Sequence, residues 1–261
     1  MAFGSCLLAL VTVYGSADIR SANITRGSIV NPEPIQCFTG ALEFGAGDRD
    51  AWYGEDTLGA RVWTCNHLTA SRDHQMPRCF NETDPYLYFR NRTGLADGWS
   101  LLTESGLCWV LYKKFKDSDA PLSETEWRLR QELETPWMTP YWFGRYTFRP
   151  YDLVYWQTGL KRTFEPWEGV SVMPFGFLDW GDSQLFAFKY GLSRGEFHGG
   201  VSAIDVGVRG SYAVTEWFGL WMQVEGYWLV NPQVRQANRD RGGVTSRNEI
   251  CVFSGGVELR F

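Results

Sequence analysis

The stretch Val252-Phe253-Ser254-Gly255-Gly256-Val257-Glu258-Leu259-Arg260-Phe261 decides how the rest of the chain is read. Phe253, Val257, Leu259 and Phe261 share one parity; Ser254, Glu258 and Arg260 share the other, and Gly255 and Gly256 lie between them. Strict period two describes a strand whose successive side chains point to opposite faces. One face is oily and the other polar. Such a strand, with its apolar face exposed and an edge unpaired, would aggregate in water. Lipid against the oily face and a closed ring that pairs both edges remove that liability.

Working outward, the same alternation recurs along the chain. It covers residues 36–45, 58–66, 86–92, 99–112, 141–149, 153–164, 170–180, 184–190, 201–212 and 218–230. Residues 126–134 are ambiguous, because Ser123 and Glu126 have the spacing of a helical capping box. Yet Trp127, Leu129 and Leu133 alternate with Arg128, Arg130 and Glu132, so this stretch is read as a further strand. The total is about twelve strands, an even number as such barrels require. The expected fold is all-β, a closed antiparallel transmembrane barrel in which residues 36–45 pair with residues 252–261. Short turns near Pro150, Gly181 and Thr215 are placed at one end, and the long polar connections 193–200 and 231–247 at the other. The long stretch 69–84 breaks this pattern.

A soluble β-sandwich would alternate too. The discriminator is the position of the aromatic rings, of which the chain has 13 Trp, 12 Tyr and 17 Phe. Trp99, Trp142, Trp156, Trp180, Tyr190 and Tyr212 fall near strand ends on the apolar parity, as aromatic girdles do at a membrane interface. With 25 Lys and Arg against 30 Asp and Glu, the net charge is -5. No basic run or stacking motif accompanies it, so nucleic acid is not an expected partner.

Residues 6–15 read CLLALVTVYG and precede Ser16 and Ala17. A short apolar run followed by small residues predicts a signal peptide over 1–17, although Met1 to Ser5 carry no basic residue. The expected organisation is then a signal peptide (1–17), a polar lead-in (18–35) and a barrel (36–261). Five cysteines follow Ala17: Cys37, Cys65, Cys79, Cys108 and Cys251. Cys65 and Cys79 could close a loop of about 15 residues; free, small, buried thiols are the favoured reading. No Cys/His spacing suits zinc, and neither metal nor cofactor is expected.

The ending resembles the C-terminal signature of Gram-negative outer-membrane barrels. That resemblance implies that Phe253, Val257, Leu259 and Phe261 are read by the barrel assembly machinery. Strand rhythm, aromatic ends and the terminal Phe together resemble small outer-membrane channels of the Tsx-like and TorF-like kinds. A looser likeness joins Ala51-Trp52-Tyr53-Gly54-Glu55 to the aromatic-Gly stretch after the first strand of TorF-like proteins. The resemblance implies a porin-like channel in the bacterial outer membrane, bathed by its lipids and passing small polar solutes by diffusion.

On the polar parity, Arg61, Arg90, Arg92, Arg128, Arg130, Arg145 and Arg149 belong to the first half, and Asp179, Asp205, Glu225 and Glu258 to the second. In a closed ring these residues line the lumen. A basic wall facing an acidic one would set a transverse field across a wet pore. Salt bridges filling a narrow lumen are the equal alternative. Two other function classes stay open. An outer-membrane hydrolase or lipid-modifying enzyme needs a nucleophile beside a base, but His67, His74 and His198 lie in no such motif, and no enzyme is expected. A filled structural or adhesive barrel is the third.

Overall fold

The computed structural model describes residues 10–25, 28–31, 34–47, 54–68, 81–112, 123–190, 192, 198–240 and 248–261. In chain order the strands are β1 (Leu10–Arg20), β2 (Asn23–Thr25), β3 (Ser28–Asn31), β4 (Ile35–Gly47), β5 (Glu55–His67), β6 (Asn81–Ala96) and β7 (Trp99–Tyr112). They continue as β8 (Ser123–Glu134), β9 (Thr139–Arg149), β10 (Leu153–Lys161), β11 (Phe164–Trp167), β12 (Val170–Gly181), β13 (Gly200–Ala213), β14 (Phe218–Leu229) and β15 (Glu249–Arg260). Two helices, α1 (Ser183–Tyr190) and α2 (Pro232–Asp240), lie in the connections after β12 and β14.

All pairings are antiparallel, in the order β10-β9-β8-β7-β6-β5-β4-β1-β15-β14-β13-β12, and a β10–β12 pairing closes the ring. The short β11 continues beside β12 where β10 stops, as one extra strand. The result is a closed barrel of twelve strands; β2 and β3 form a separate small hairpin. Closure leaves the ring no unpaired edge.

Two strand assignments differ from the sequence reading, and they offset each other in the count. Residues 36–45 do not pair with the last strand. β1 stands between them, with Tyr14 opposite both Ala41 and Arg260. The sequence hides this strand because Leu10–Gly15 reads as one apolar run, which divided β1 between a signal peptide and a lead-in. Its alternation is nevertheless present. Val11, Val13 and Ile19 are exposed on the outer face, whereas Asp18 is buried on the inner one.

The other difference is at 184–190, which is helical. Phe186 and Tyr190 sit four apart, a spacing that satisfies both period two and the helical repeat. The local arbiter is Asp182, whose Oδ1 accepts the Leu185 N–H at 2.7 Å and caps the helix. Tyr190 is buried with Leu185 and Phe186, so it is no girdle residue.

With β1 added and 184–190 removed, the ends of the barrel are reassigned, and all the long connections gather at one end, where 150–152 is the one short turn. The connections 48–54, 97–98, 135–138, 168–169 and 214–217 share one end, while 21–34, 68–80, 113–122, 150–152, 182–199 and 230–248 share the other. The turns at Pro150 and Gly181 therefore belong with the long connections, as the bond from Asp182 N–H to Val154 O confirms. The stretch after β5 is no longer an exception.

Exposed Trp137, Trp167, Tyr212, Trp217 and Phe261 ring the short-turn end, and exposed Trp109, Trp127, Tyr146, Trp156 and Trp228 ring the other. Between them Leu42, Leu87, Val206, Val208 and Met222 face outward, Met222 at 69% exposure. An apolar belt between two aromatic bands is the surface of a barrel that sits in a bilayer. No described helix is long and apolar enough to cross a membrane.

Candidate functional site in the lumen

Polar parity turns inward. The lumen holds a cavity of about 870 Å³, lined by residues from every strand of the ring except β15. On β12 its lining runs from Met173 to Asp179, which at the rise of a strand is roughly 20 Å.

Arg61, Arg128, Arg130 and Arg145 line this cavity, as do Asp179, Asp205 and Glu225. Arg90 stands beside it, bound to the lining residue Glu43 at 2.7 Å. Arg92 reaches Glu134 at 2.9 Å near the short-turn end. Glu258 accepts a hydrogen bond from the lining residue Arg209, whose guanidinium lies 4.4 Å from the Trp221 ring centre. Arg149 is exposed at the end of β9, outside the lining.

The arginines of the first half do not form a bare basic wall. Arg128 bonds Glu126 at 2.9 Å and Asp84 at 3.0 Å. Glu126, 0% exposed, also faces Arg145 at 3.9 Å and accepts the Thr147 hydroxyl at 3.2 Å. Arg130 and Lys161 both hold Glu132, at 2.6 and 2.7 Å. Glu104 lies 3.9 Å from Arg61 and 3.8 Å from Arg90. These carboxylates stand on the same inward parity as the arginines, so a full parity count would have found them. Taking only the basic residues from this half missed them.

Arg61 is held differently. Its guanidinium lies 5.0 Å from the Tyr88 ring centre and 5.8 Å from that of Tyr86, within cation–π range. The two rings stack at 5.0 Å, and the Tyr88 hydroxyl donates to Glu43. The opposite strand makes room: a Cβ on Gly59 would come within 2.2 Å of the Tyr88 ring.

The β12–β14 wall carries three carboxylates of another character. Asp179 accepts the Tyr155 hydroxyl at 2.6 Å and the Gln157 amide at 3.0 Å, and Glu225 accepts from Gln223 at 2.6 Å. Asp205 Oδ1 is buried without a hydrogen-bond partner. Among the described residues no ion pair within 4.0 Å reaches any of the three. Ion pairing in the lumen is thus uneven, dense on one wall and absent within 4.0 Å around these three carboxyls.

At the long-connection end the lumen is partly covered. Leu185 of α1 packs with Leu153 and Tyr155, while Phe186 and Tyr190 pack with Ala203, Tyr227, Leu229 and Val234 of α2. Asn231 caps α2 by accepting the N–H groups of Gln233 and Val234 at 3.0 and 3.1 Å.

His67 ends β5 and His198 precedes β13. His74, Cys79 and Ala51 to Tyr53 lie outside the described residues, and so do the pairing of Cys65 with Cys79 and the aromatic-Gly likeness. No group of His, Cys, Asp and Glu that could hold a metal ion occurs among the described residues.

No family model matches the chain, and no curated protein matches it. Solved structures do. An outer-membrane channel from Pseudomonas putida F1 superposes with a TM-score of 0.54 at 10% identity, covering 100% of both chains. Outer membrane phospholipase A from Escherichia coli gives 0.49 at 15% identity, covering 97% of this chain and 94% of that one. OprB of Pseudomonas putida gives 0.44 at 7%, covering 96% and 94%. The first of these likenesses shows that the fold is shared with an outer-membrane channel.

Proposed function

We propose that this chain resides in a bacterial outer membrane and acts as a porin-like channel for passive diffusion of small polar solutes. One observation carries the reading: a charged cavity of about 870 Å³ lies within a closed ring whose outside is apolar and banded with aromatics. Charged walls keep such a lumen wet, and roughly 20 Å along a strand tilted by about 35–45° is roughly 15 Å of wet path along the membrane normal, over half of an outward apolar band ~25 Å tall. Kinship with the Tsx-like and TorF-like channels belongs to this proposal.

Reconstitution into planar bilayers tests it. Discrete conductance steps, and swelling of liposomes in small neutral sugars, are the expected results. A correctly folded barrel that gives neither would overturn the reading.

A second reading, a filled barrel that acts through its long connections, is favoured by the packing of α1 and α2 across one mouth. Conductance that appears only when α1 is shortened would support it.

A further inference from the structure

Four cysteines are described, and two of them face each other. The register of β4 and β5 sets Cys37 opposite Cys65. Both thiols are free and 0% exposed, packed with Ile35 and covered by Trp63.

Backbone bonding fixes the kind of pair they form. Leu68 N–H donates to Pro34 O at 3.0 Å, which makes Pro34 and Leu68 a hydrogen-bonded pair. Antiparallel ladders alternate between hydrogen-bonded and non-hydrogen-bonded pairs. Counting along the register, Ile35 and His67 are non-bonded, Gln36 and Asn66 bonded, and Cys37 and Cys65 non-bonded. A non-bonded pair has Cα atoms about 4.5 Å apart with its side chains at closest approach, and a disulfide accepts Cα separations of about 4.4–6.8 Å. Both side chains turn to the same inner face, so the bridge needs no backbone movement.

We propose that Cys37 and Cys65 form a disulfide in the exported protein, tying β4 to β5 near the long-connection end of the barrel. The proposal rests on the outer-membrane reading for its oxidising compartment. The oxidant is a protein or small-molecule disulfide of that compartment. One cysteine thiolate attacks it to give a mixed disulfide; the second then attacks the first cysteine's sulfur and expels the oxidant's remaining thiolate. One S–S bond forms in this chain and one is lost from the oxidant. The two thiol protons and the electron pair pass to the oxidant's sulfurs, which become thiols.

Burial also sets the order of events. In the closed barrel neither thiol is accessible to an exchange partner, so oxidation precedes closure. A barrel closed with reduced thiols should therefore resist oxidation until it is opened.

Two experiments test the pairing. Protein from the envelope of an exporting strain is alkylated without reduction, digested and analysed by mass spectrometry. The expected product is a linked Cys37–Cys65 peptide, two hydrogens lighter than the separate peptides, retained in Cys79→Ser and absent in Cys65→Ser. In parallel, denatured chain is refolded into detergent with oxidised and reduced glutathione, where the same link should form wherever the protein lives in the cell. Protein missing from the envelope would count against the outer-membrane reading alone. Free Cys37 and Cys65 in the glutathione-refolded barrel, or a link from either to Cys79, would overturn the disulfide.

Discussion

Phe261 stacks on Trp217, with ring centres 6.1 Å apart and planes inclined by 17°. The stack joins the end of β15 to the turn before β14, where Arg260 N–H also donates to Trp217 O at 3.0 Å. Phe261 is bonded on its other side too, exchanging both backbone bonds with Val13 at 2.8 Å. Phe261→Ala keeps these backbone bonds and removes the ring. The yield of heat-modifiable barrel in the membrane should fall, while Trp217→Ala, which spares the terminal side chain, should lower it less. Equal yields for parent and Phe261→Ala would refute a role for the ring in assembly.

β1 is a full member of the ring, so the inserted protein should retain residues 10–20. N-terminal sequencing of the membrane-embedded chain should find a start upstream of Leu10. Removing residues 1–20 would expose the β4 and β15 edges together, an arrangement lipid does not tolerate. The truncated chain should give no heat-modifiable species. A start at Asp18 in a functional barrel would mean that another segment closes the ring.

Glu126 is the carboxylate whose loss should cost most. It is fully buried, bonds Arg128 and faces Arg145. Removing one partner of a buried pair leaves the other charge uncompensated, at about 3–5 kcal/mol. Asp84 still serves Arg128, so about 3 kcal/mol is expected for Glu126→Ala. The measurement is the urea midpoint of the detergent-folded barrel; an unchanged midpoint would show that water replaces the carboxylate.

The unpaired wall, not the arginines, should set ion preference. Reversing Arg90, Arg128 or Arg145 would place a carboxylate beside Glu43, Asp84 or Glu126 and threaten the fold. Asp205→Asn and Glu225→Gln preserve shape and remove two lumen carboxyls that form no ion pair within 4.0 Å among the described residues. The parent should prefer cations, and the reversal potential in a salt gradient should move towards the anion side in the double variant. A parent that prefers anions would place the selecting charge on the arginine-bearing wall.

Most of this barrel was legible because period two leaves a plain mark wherever one face meets lipid and the other water. Trp127 and Leu129 against Arg128 and Arg130 identify β8 despite its capping-box spacing. Legibility failed where a segment satisfies two descriptions. Leu10–Gly15 is apolar enough for an export signal, and its inward Thr12 and Tyr14 are too mild to betray a strand. Phe186 and Tyr190 suit either a strand or a helix, and only Asp182 tips the balance. The individual arginines were visible, but their pairing only in part. Glu126 could be read off β8 itself, two residues from Arg128 on the same face, but Asp84 meets Arg128 through the placement of β6 and β8 on either side of β7, a relation no single strand encodes.

Tyr14 sits opposite Arg260, so the seam between β1 and β15 is the one join in the ring made by strands from opposite ends of the chain. All other neighbours are close in sequence and can zip in turn. A seam attempted first would have to bring together the ends of an open loop of some 240 residues, about 3 kcal/mol costlier than closing a ten-residue hairpin. Made last, it joins two edges of a sheet that already exists. Kinetics therefore favour an intermediate that is a curled, open sheet with β1 along one margin and β15 along the other. Its lifetime, and the chance of joining a second such sheet margin to margin, depend on how quickly those two strands meet.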